Sequence, residues 1–251
     1  MLEKPSRFSD IKKVIAVVSG KGGVGKSMTT ALLACEANRR GLRTAVMDAD
    51  LTGPSIPKIF GVSDKATGDE NGIDAVTTPI GIKYISVNSF LDDESSPVIW
   101  RGPVVAGVVK QFWTDVKWGD VDVMFVDCPP GTGDVPLTVF QSIPIDGIVV
   151  VTSPQELVSV IVEKAVNMAK MMKVPILGIV QNMSYYVCEN CGNKHYIYGK
   201  SNVEETAKQF GIENYCEMPI MEGAAKKCDE GKINEIEVEP LKKFFDEVIK
   251  K

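Results

Sequence analysis

Two groups of residues in this sequence have the types and spacing that chemistry requires. The first is the run from Gly20 to Ser27, Gly-Lys-Gly-Gly-Val-Gly-Lys-Ser. Its glycines let successive backbone N–H groups face a chain of phosphates, while Lys26 adds a cation and the Ser27 hydroxyl a ligand for Mg²⁺. The second is the pair Cys188 and Cys191, whose spacing lets two thiolates converge on one metal. The sequence therefore predicts a phosphate-binding loop and a thiolate metal site.

Acidic residues follow two apolar runs of the sequence. Asp127 closes the run Val121–Val126, and Asp48 and Asp50 follow Thr44–Met47. Because α/β sheets bind ligands at the carboxyl ends of their strands, we expect these carboxylates to face the phosphate loop. Asp127 is expected to hold Mg²⁺ through water, as a Walker B acid does, with Ser27 and Asp50 as further metal-site residues. Asp48 is interpreted as a contact to metal-bound water or as the cap of a turn.

The elements that must position these residues alternate along the chain. Short, continuous, β-branched runs are typical of strands buried on both faces. They are Val14–Ser19, Thr44–Met47, Lys83–Val87, Val121–Val126, Gly147–Thr152 and Ile176–Val180. Helical patterns lie between them, at Lys26–Arg40, Pro103–Thr114, Gln155–Lys173 and Asn202–Phe210. The alternation predicts an α/β fold with a doubly wound, mostly parallel sheet and helices on both faces, in one domain spanning 1–251.

Three segments do not follow this alternation. Gly61–Pro79 is polar and glycine-rich, which predicts a surface excursion. An insertion at about 184–200 contains the cysteine pair, His195 and four tyrosines. The C-terminal segment has an apolar stripe at helical spacing, formed by Leu241, Phe244, Phe245, Val248 and Ile249. That stripe predicts a helix that docks on the core, although a membrane-surface helix has the same pattern.

Composition excludes several classes of protein. The 251 residues are 44% hydrophobic and 24% charged, which is typical of a globular chain rather than a disordered one. The net charge of −5 argues against a broad nucleic-acid surface. The first residues have no apolar signal segment, and the apolar runs are too short to cross a membrane. We therefore expect a cytoplasmic protein with reduced thiols, no nucleic acid and no membrane partner.

The phosphate loop resembles the deviant Walker A motif, K-G-G-x-G-K-[ST], of the MinD/ParA/nitrogenase-iron-protein class of ATPases. The resemblance implies that Lys21 contacts phosphates bound to a partner subunit, that Asp50 orients the attacking water and that Asn182 reads adenine. It implies ATP-binding contacts from Gly20, Lys21, Gly22, Gly23, Val24, Gly25, Lys26, Ser27, Met28, Asp127, Gly131 and Asn182. Gly131 and Gly133 are expected to bring N–H groups near the γ-phosphate. A guanine-reading N-K-x-D motif is absent from the sequence, which favours ATP.

Three longer stretches narrow the resemblance to the Mrp/ApbC family of iron–sulfur cluster carrier ATPases. They are Asp48–Pro57, Asp127–Asp134 and Asn182–Gly192. The family resemblance implies a homodimer that hydrolyses ATP with Mg²⁺, binds a [4Fe–4S] cluster between the Cys188 and Cys191 pairs of two protomers and transfers it to apoproteins. Relatives with an N-terminal domain or an N-terminal cysteine cluster have segments that this sequence does not show, so we expect the ATPase core alone.

Other interpretations of the cysteine residues stay open at this point. Zn²⁺ could occupy the same four thiolates, and His195 could be a third ligand within one chain or an ordinary surface residue. Cys35 and Cys128 are interpreted as packing thiols, and Cys216 and Cys228 are unassigned. Two other functions also fit parts of the pattern: a MinD/ParA-like positioning ATPase, and a zinc-bridged adaptor gated by nucleotide.

Overall fold

The computed structural model describes residues 2–51, 53–90, 102–131, 133–154 and 158–249. Its helices are α1 (Lys26–Arg39), α2 (Ile56–Phe60), α3 (Gly102–Thr114), α4 (Asp134–Ser142), α5 (Val158–Met172), α6 (Val203–Phe210), α7 (Ala224–Asp229) and α8 (Glu239–Val248). Its strands are β1 (Ser9–Ile11), β2 (Val14–Ser19), β3 (Thr44–Asp48), β4 (Gly68–Asp69), β5 (Gly72–Asp74), β6 (Val76–Thr77), β7 (Lys83–Ile85), β8 (Val116–Lys117), β9 (Gly119–Val121), β10 (Val123–Asp127), β11 (Gly147–Thr152), β12 (Ile176–Val187), β13 (Lys194–His195) and β14 (Tyr215–Pro219).

The main sheet has the order β13-β12-β11-β2-β10-β3-β7-β6, with β14 paired to β12. All of its neighbouring strands run parallel except β6 beside β7 and β13 beside β12. The first strand of the sheet, β2, lies between β10 and β11, so helices return on both faces. The predicted doubly wound, mostly parallel α/β fold is confirmed.

Each face of the sheet buries its own hydrophobic layer. Val14, Ala16 and Val18 of β2 point to the layer that holds the helices α3, α4 and α5. Ile15 and Val17 point to the opposite layer, where α1, α2 and α8 pack. Burial of both faces explains why the central strands read as continuous apolar runs rather than alternating ones.

The C-terminal helix docks on the core, as the stripe predicts. In α8, Phe244 and Phe245 are 1% and 0% exposed, and Leu241 and Val248 are buried with them. None of the helices in the described part of the chain has the length and apolar run that crossing a bilayer requires.

Three predicted boundaries differ from the structure. The run Val121–Val126 is broken at Asp122, because its carboxylate binds Lys12 and Arg43 between β9 and β10. Part of Gly61–Pro79 is not an excursion, since β6 joins the main sheet. The strand predicted to end at Val180 continues as β12 to Val187. The start of the predicted Gln155–Lys173 helix lies outside the described residues, and α5 is described from Val158.

Candidate functional site

The phosphate loop connects β2 to α1 at the carboxyl edge of the sheet. Gly23 and Gly25 have φ angles of 82° and 83°, a left-handed backbone that favours glycine. A Cβ atom at Gly25 would also collide with the side-chain amide of Asn182. Because Gly25 precedes the first residue of α1, the helix begins with its N–H groups directed at the loop.

Lys26 is buried among carboxylates at this edge. Its Nζ lies 2.8 Å from Asp127 Oδ1 and 3.9 Å from Asp50 Oδ2, and its side chain is 7% exposed. Burial by itself would lower the pKa of Lys26, but the attraction of Asp127, Asp50 and Asp48 outweighs it, and the pKa is raised. The Lys26 ammonium is therefore a fixed charge at neutral pH.

Asp127 receives contacts from three side chains. The Ser27 hydroxyl donates to its Oδ2 at 2.6 Å, and the Thr30 hydroxyl donates to its Oδ1 at 2.8 Å. Asp127 is 0% exposed at the end of β10, and its register partner on β3 is Asp48. The structure thus brings the predicted Walker B acid to the phosphate loop.

Asp48 and Asp50 occupy different environments. The Asp48 carboxylate accepts hydrogen bonds from the Ser86 hydroxyl and from the N–H groups of Asp50 and Ile56. Burial and the nearby charge of Asp127 raise the pKa of Asp48 to about 8. Asp50 instead lines the cavity in front of the loop, and its Oδ1 accepts the Gly53 N–H at 3.2 Å.

The cavity in front of the loop has a volume of about 260 Å³. It is lined by Ser19, Lys21, Gly22, Gly23, Gly25, Lys26, Ser27, Met28, Asp50, Gly53 and Pro130. Its volume is below the roughly 300 Å³ at which pockets for whole small molecules begin. All the lining residues belong to the phosphate-loop edge, so the cavity fits phosphates and a metal ion better than an entire nucleotide.

The residues at this edge suit Mg²⁺, which prefers oxygen ligands in octahedral geometry and keeps several waters. The Ser27 hydroxyl and the Asp127 carboxylate lie against each other, and Asp50 is the nearest further carboxylate on Lys26. A hydroxyl together with carboxylates is the donor set that a phosphate-bound Mg²⁺ takes. The residues present therefore fit the ion.

Two predicted nucleotide contacts have protein partners in this structure. Asn182 is 2% exposed, and its Nδ2 donates to the Val24 carbonyl at 3.0 Å while its Oδ1 accepts the Met183 N–H. The Gly131 N–H donates to the Ser19 carbonyl at 2.8 Å. Both groups hold the phosphate loop, so their contacts with adenine and γ-phosphate stay predictions.

The cysteine pair lies in the turn of an antiparallel hairpin formed by the end of β12 and by β13. Tyr186 pairs with His195 and Val187 with Lys194. The turn is closed by hydrogen bonds from the Cys188 N–H to the Asn193 carbonyl and from the Gly192 N–H to the Cys188 carbonyl. The predicted insertion at about 184–200 thus starts within the last residues of β12 and includes this hairpin.

Three possible metal ligands converge in this hairpin. The ligand atoms of Cys188, Cys191 and His195 all lie within 4.8 Å of one another. The backbone N–H groups of Cys191 and Asn190, with the Cys191 thiol, hydrogen-bond to Cys188 and lower its pKa. A lowered thiol pKa favours the thiolate, which is the form that binds metal.

Comparison with known proteins assigns the chain to a family. Residues 10–251 match the family described as NUBPL iron-transfer P-loop NTPase. The chain belongs to this family. The iron–sulfur cluster carrier protein of Clostridium perfringens is 42% identical over 238 residues, which are 92% of this chain and 84% of that protein. The protein of the same name from Methanocaldococcus jannaschii is 45% identical over 226 residues, 89% of this chain and 78% of that protein.

Solved structures agree with the assignment to the iron-transfer P-loop NTPases. A nucleotide-binding protein of Archaeoglobus fulgidus, in complex with ADP and with cobalt found, has a TM-score of 0.84 and 41% identity, covering 94% of this chain and 92% of that chain. The cell division ATPase MinD of Pyrococcus furiosus has a TM-score of 0.67 at 19% identity, covering 95% and 98%. The MinD likeness shows the fold alone.

The other four cysteines, Cys35, Cys128, Cys216 and Cys228, are not among the converging ligands of the hairpin. Cys35 and Cys128 are buried packing thiols, as predicted. Burial raises the pKa of Cys35, Cys128 and Cys216 to about 12, and it also raises the pKa of Cys228. A thiol with a raised pKa stays protonated and is a poor metal ligand.

Sequence reasoning missed two residues that position the carboxylates. Thr30 holds Asp127, and Ser86 holds Asp48. Thr30 could have been found, because it lies one helical turn after Lys26 and therefore on the same face of α1. Ser86 carries no such signal, since only the pairing of β3 with β7 brings it to Asp48.

Proposed function

We propose that the chain is an ATP-hydrolysing carrier of [4Fe–4S] clusters that acts as a homodimer. Its cargo is held between the Cys188 and Cys191 pairs of two protomers and is passed to apoproteins. The observation that carries the proposal is a pair of accessible thiols in the turn of a hairpin, in a chain that also has an assembled phosphate loop. The relatives named iron–sulfur cluster carrier proteins support the same assignment.

ATP binding requires Lys26 to exchange partners. Lys26 now contacts Asp127, and a phosphate in the cavity offers it a second anion within the reach of its side chain. When Lys26 turns to the β- and γ-phosphates, the Ser27 hydroxyl and the Asp127 carboxylate become available to the metal ion. Bound Mg²⁺ neutralises charge on the phosphates and stabilises the transition state for hydrolysis.

Hydrolysis in this proposal is an in-line attack by water held near Asp50. Asp50 lines the cavity and is kept in place by the Gly53 N–H, so its carboxylate can orient a water against the terminal phosphate. Lys21 also lines the cavity, and Lys21 of the partner subunit would neutralise phosphate charge from the other side. The cytoplasmic location, predicted because the first residues show no apolar signal segment and the apolar runs are too short to cross a membrane, belongs to the same proposal.

Anaerobic reconstitution with iron and sulfide tests the cargo. We expect the visible absorbance of a [4Fe–4S] cluster, a shift from monomer to dimer in gel filtration, and transfer of the cluster to an apo-[4Fe–4S] enzyme whose activity then returns. Cys188→Ala should lose all three, because it removes one thiolate from each protomer.

The matched control is Cys228→Ala, which removes a half-buried thiol outside the hairpin. It should behave like the wild type. A cluster that persists in Cys188→Ala, or a dimer purified without oxygen whose four bridging thiolates hold zinc instead of a cluster, would contradict the proposed cargo.

A further inference from the structure

We propose that one protomer alone holds a single thiophilic divalent cation through Cys188 Sγ, Cys191 Sγ and a ring nitrogen of His195. This site deepens the proposed function and rests on it in using the same two thiols. It differs in needing neither ATP nor a partner subunit. His195 is the residue that distinguishes it, because a cluster bridged by four cysteines has no place for the imidazole.

The separation of the three ligand atoms fits one ion. In a tetrahedral zinc site, with bonds of about 2.3 Å to sulfur and about 2.0 Å to nitrogen, the ligand atoms stand about 3.5 to 3.8 Å apart. The three atoms here are within 4.8 Å of one another. Closing the remaining distance of about 1 Å lies within side-chain rotation on an exposed hairpin.

The hairpin brings the three side chains together. His195 lies on β13, directly paired with Tyr186 of β12. Cys188 lies in the turn, directly after β12 ends at Val187, and its Sγ is within 4.8 Å of the ligand atoms of Cys191 and His195. Gly192, with a φ of 70°, lets the turn fold back and bring Cys191 beside Cys188. The ligands thus come from β13 and from the turn that joins it to β12.

A cluster requires a longer distance between the sulfur atoms of Cys188 and Cys191. In a [4Fe–4S] cluster each thiolate binds its own iron, so two thiolates stand further apart than two ligands of one ion. The convergence of Cys188, Cys191 and His195 therefore matches a single cation better than a cluster. It follows that the hairpin as folded is arranged for one ion, and that cluster binding must open it.

Three protein ligands leave a fourth position on the cation. Metal sites with three protein ligands keep that position for water or an incoming ligand. Cys188 is half-buried, while Cys191 and His195 are exposed, so a thiolate of another protein can reach the ion. Each thiol loses its proton on binding, and the ion exchanges one water for each protein ligand.

Cobalt is the probe for this site, because tetrahedral Co²⁺ has intense visible bands and thiolate charge-transfer bands that zinc lacks. The full chain, untagged, reduced and free of ATP, is titrated with Co²⁺ under nitrogen. We expect one Co²⁺ per chain, tetrahedral visible bands, thiolate charge transfer and a monomer in gel filtration.

Histidine NMR gives a second readout that does not depend on activity. The chain contains one histidine, so its imidazole signals belong to His195 without any assignment experiment. Stoichiometric Zn²⁺ should shift those signals, because a ring nitrogen becomes a ligand of the ion. Imidazole signals that stay in place while Zn²⁺ is bound would overturn the proposal.

Three variants separate ligation from structural support. His195→Ala should weaken Co²⁺ binding by at least about tenfold, the lower end of what losing even a supporting group costs a metal site. His195→Cys should restore the affinity and strengthen the thiolate charge transfer, because sulfur replaces nitrogen. Lys194→Ala is the control, since its ammonium lies over the Tyr185 ring rather than at the ligands, and it should bind like the wild type.

The proposal and the cluster function fail in different ways. Equal Co²⁺ affinity and spectra in the wild type and His195→Ala would overturn the three-ligand site, whatever happens on reconstitution with iron and sulfide. A His195-dependent site of one Co²⁺ per monomer supports it, even in a chain that forms no dimeric cluster. In that second case only the cargo proposed for the dimer would be wrong.

Discussion

Three carboxylates surround one lysine at the phosphate loop. The negative charge exceeds the positive charge, and Asp48 is the carboxylate most affected by this excess. Asp127 and Asp50 contact Lys26, whereas Asp48 depends on the Ser86 hydroxyl and on two backbone N–H groups. Neutral donors compensate a buried charge less well than an ion pair does. The raised pKa of Asp48 follows from this arrangement.

Asp48→Asn should change how stability depends on pH. The pKa of Asp48 is about 8 in the folded chain, against an unfolded value of about 3.9, so the folded state binds the extra proton between these values. The wild type therefore loses stability as pH rises through this window, with a slope of at most about 1.4 kcal/mol per pH unit from this group. Asn cannot ionise, so the variant lacks that contribution.

Urea denaturation at pH 5, 6, 7 and 8 without nucleotide measures the difference. The stability of Asp48→Asn relative to the wild type should increase steadily with pH. Asp64→Asn, at an exposed position, is the control and should retain the wild-type slope. Parallel pH profiles for the wild type and Asp48→Asn would show that Asp48 is ionised throughout.

The charged residues of this site could be predicted from the sequence more readily than the uncharged residues that hydrogen-bond to the site and hold it in place. Lys26, Asp50 and Asp127 were identifiable, because each follows a strand or opens a helix in a recognisable motif. Ser86 and the amide of Asn182 contact partners 38 and 158 residues away. Such contacts depend on strand order, which periodicity does not contain.

At the scale of the elements, α2 meets the end of α7 through a pair of glycines. Gly61 and Gly231 both have positive φ, 66° and 71°, and a Cβ on either would strike the Cα of the other. Two effects therefore disfavour a side chain at either position. One is the left-handed backbone, and the other is the close approach of the two backbones.

Gly231→Ala should destabilise the fold by about 2 kcal/mol or more, since the strain of the left-handed backbone adds to a backbone collision. The control is Gly211→Ala, at φ 67° with no atom within 4 Å of the added Cβ. It should cost about 1 kcal/mol, the strain of the backbone alone. The measurement is chemical denaturation of both variants, and equal losses of stability would contradict the collision.

Periodicity found the central strands and missed how β12 continues. The apolar run ends at Val180, but β12 extends to Val187 through Met183, a non-glycine residue with a φ of 57°. Its pairing with β14 shifts register between Gln181 and Tyr185. At such an irregularity, the alternation of buried and exposed residues along a strand is interrupted. The sequence pattern therefore did not predict that β12 continues into the segment interpreted as an insertion.

At the scale of the whole molecule, the proposed homodimer bears on how the cavity in front of the phosphate loop is closed. Among the described residues, those that line the cavity all lie at its phosphate end, and Lys21 is an exposed residue of its rim. The resemblance to the MinD/ParA/nitrogenase-iron-protein class implies that a second subunit covers the open side of this cavity and contacts the nucleotide there. In the proposed homodimer, each subunit contributes one such site.

Lys21→Ala should slow hydrolysis by about 100-fold or more, as the loss of one positioned charge at a developing oxyanion does. Nucleotide binding to the monomer should change far less, because the phosphate loop and Lys26 remain. Steady-state turnover and nucleotide affinity are measured separately. Lys164→Ala, at an exposed position on α5, is the control, and unchanged turnover in Lys21→Ala would rule out the role in the partner's site.

The long strand β12 runs from the phosphate loop to the cysteine hairpin. The Asn182 amide hydrogen-bonds to the Val24 carbonyl of the phosphate loop. Cys188 lies six residues further along the chain, so the segment from Asn182 to Cys188, called the outer arm, is at most about 20 Å long. Pairing with β11 ends at Gln181 and pairing with β14 at Tyr185, so beyond Tyr185 the outer arm is braced by β13 alone among the described strands. A turn of about 10° at Met183 would swing the tip of such an arm by about 3 Å. Such a swing would carry all three hairpin ligands together, so it would change the distance between the hairpins of two protomers and leave the spacing within one hairpin as it is.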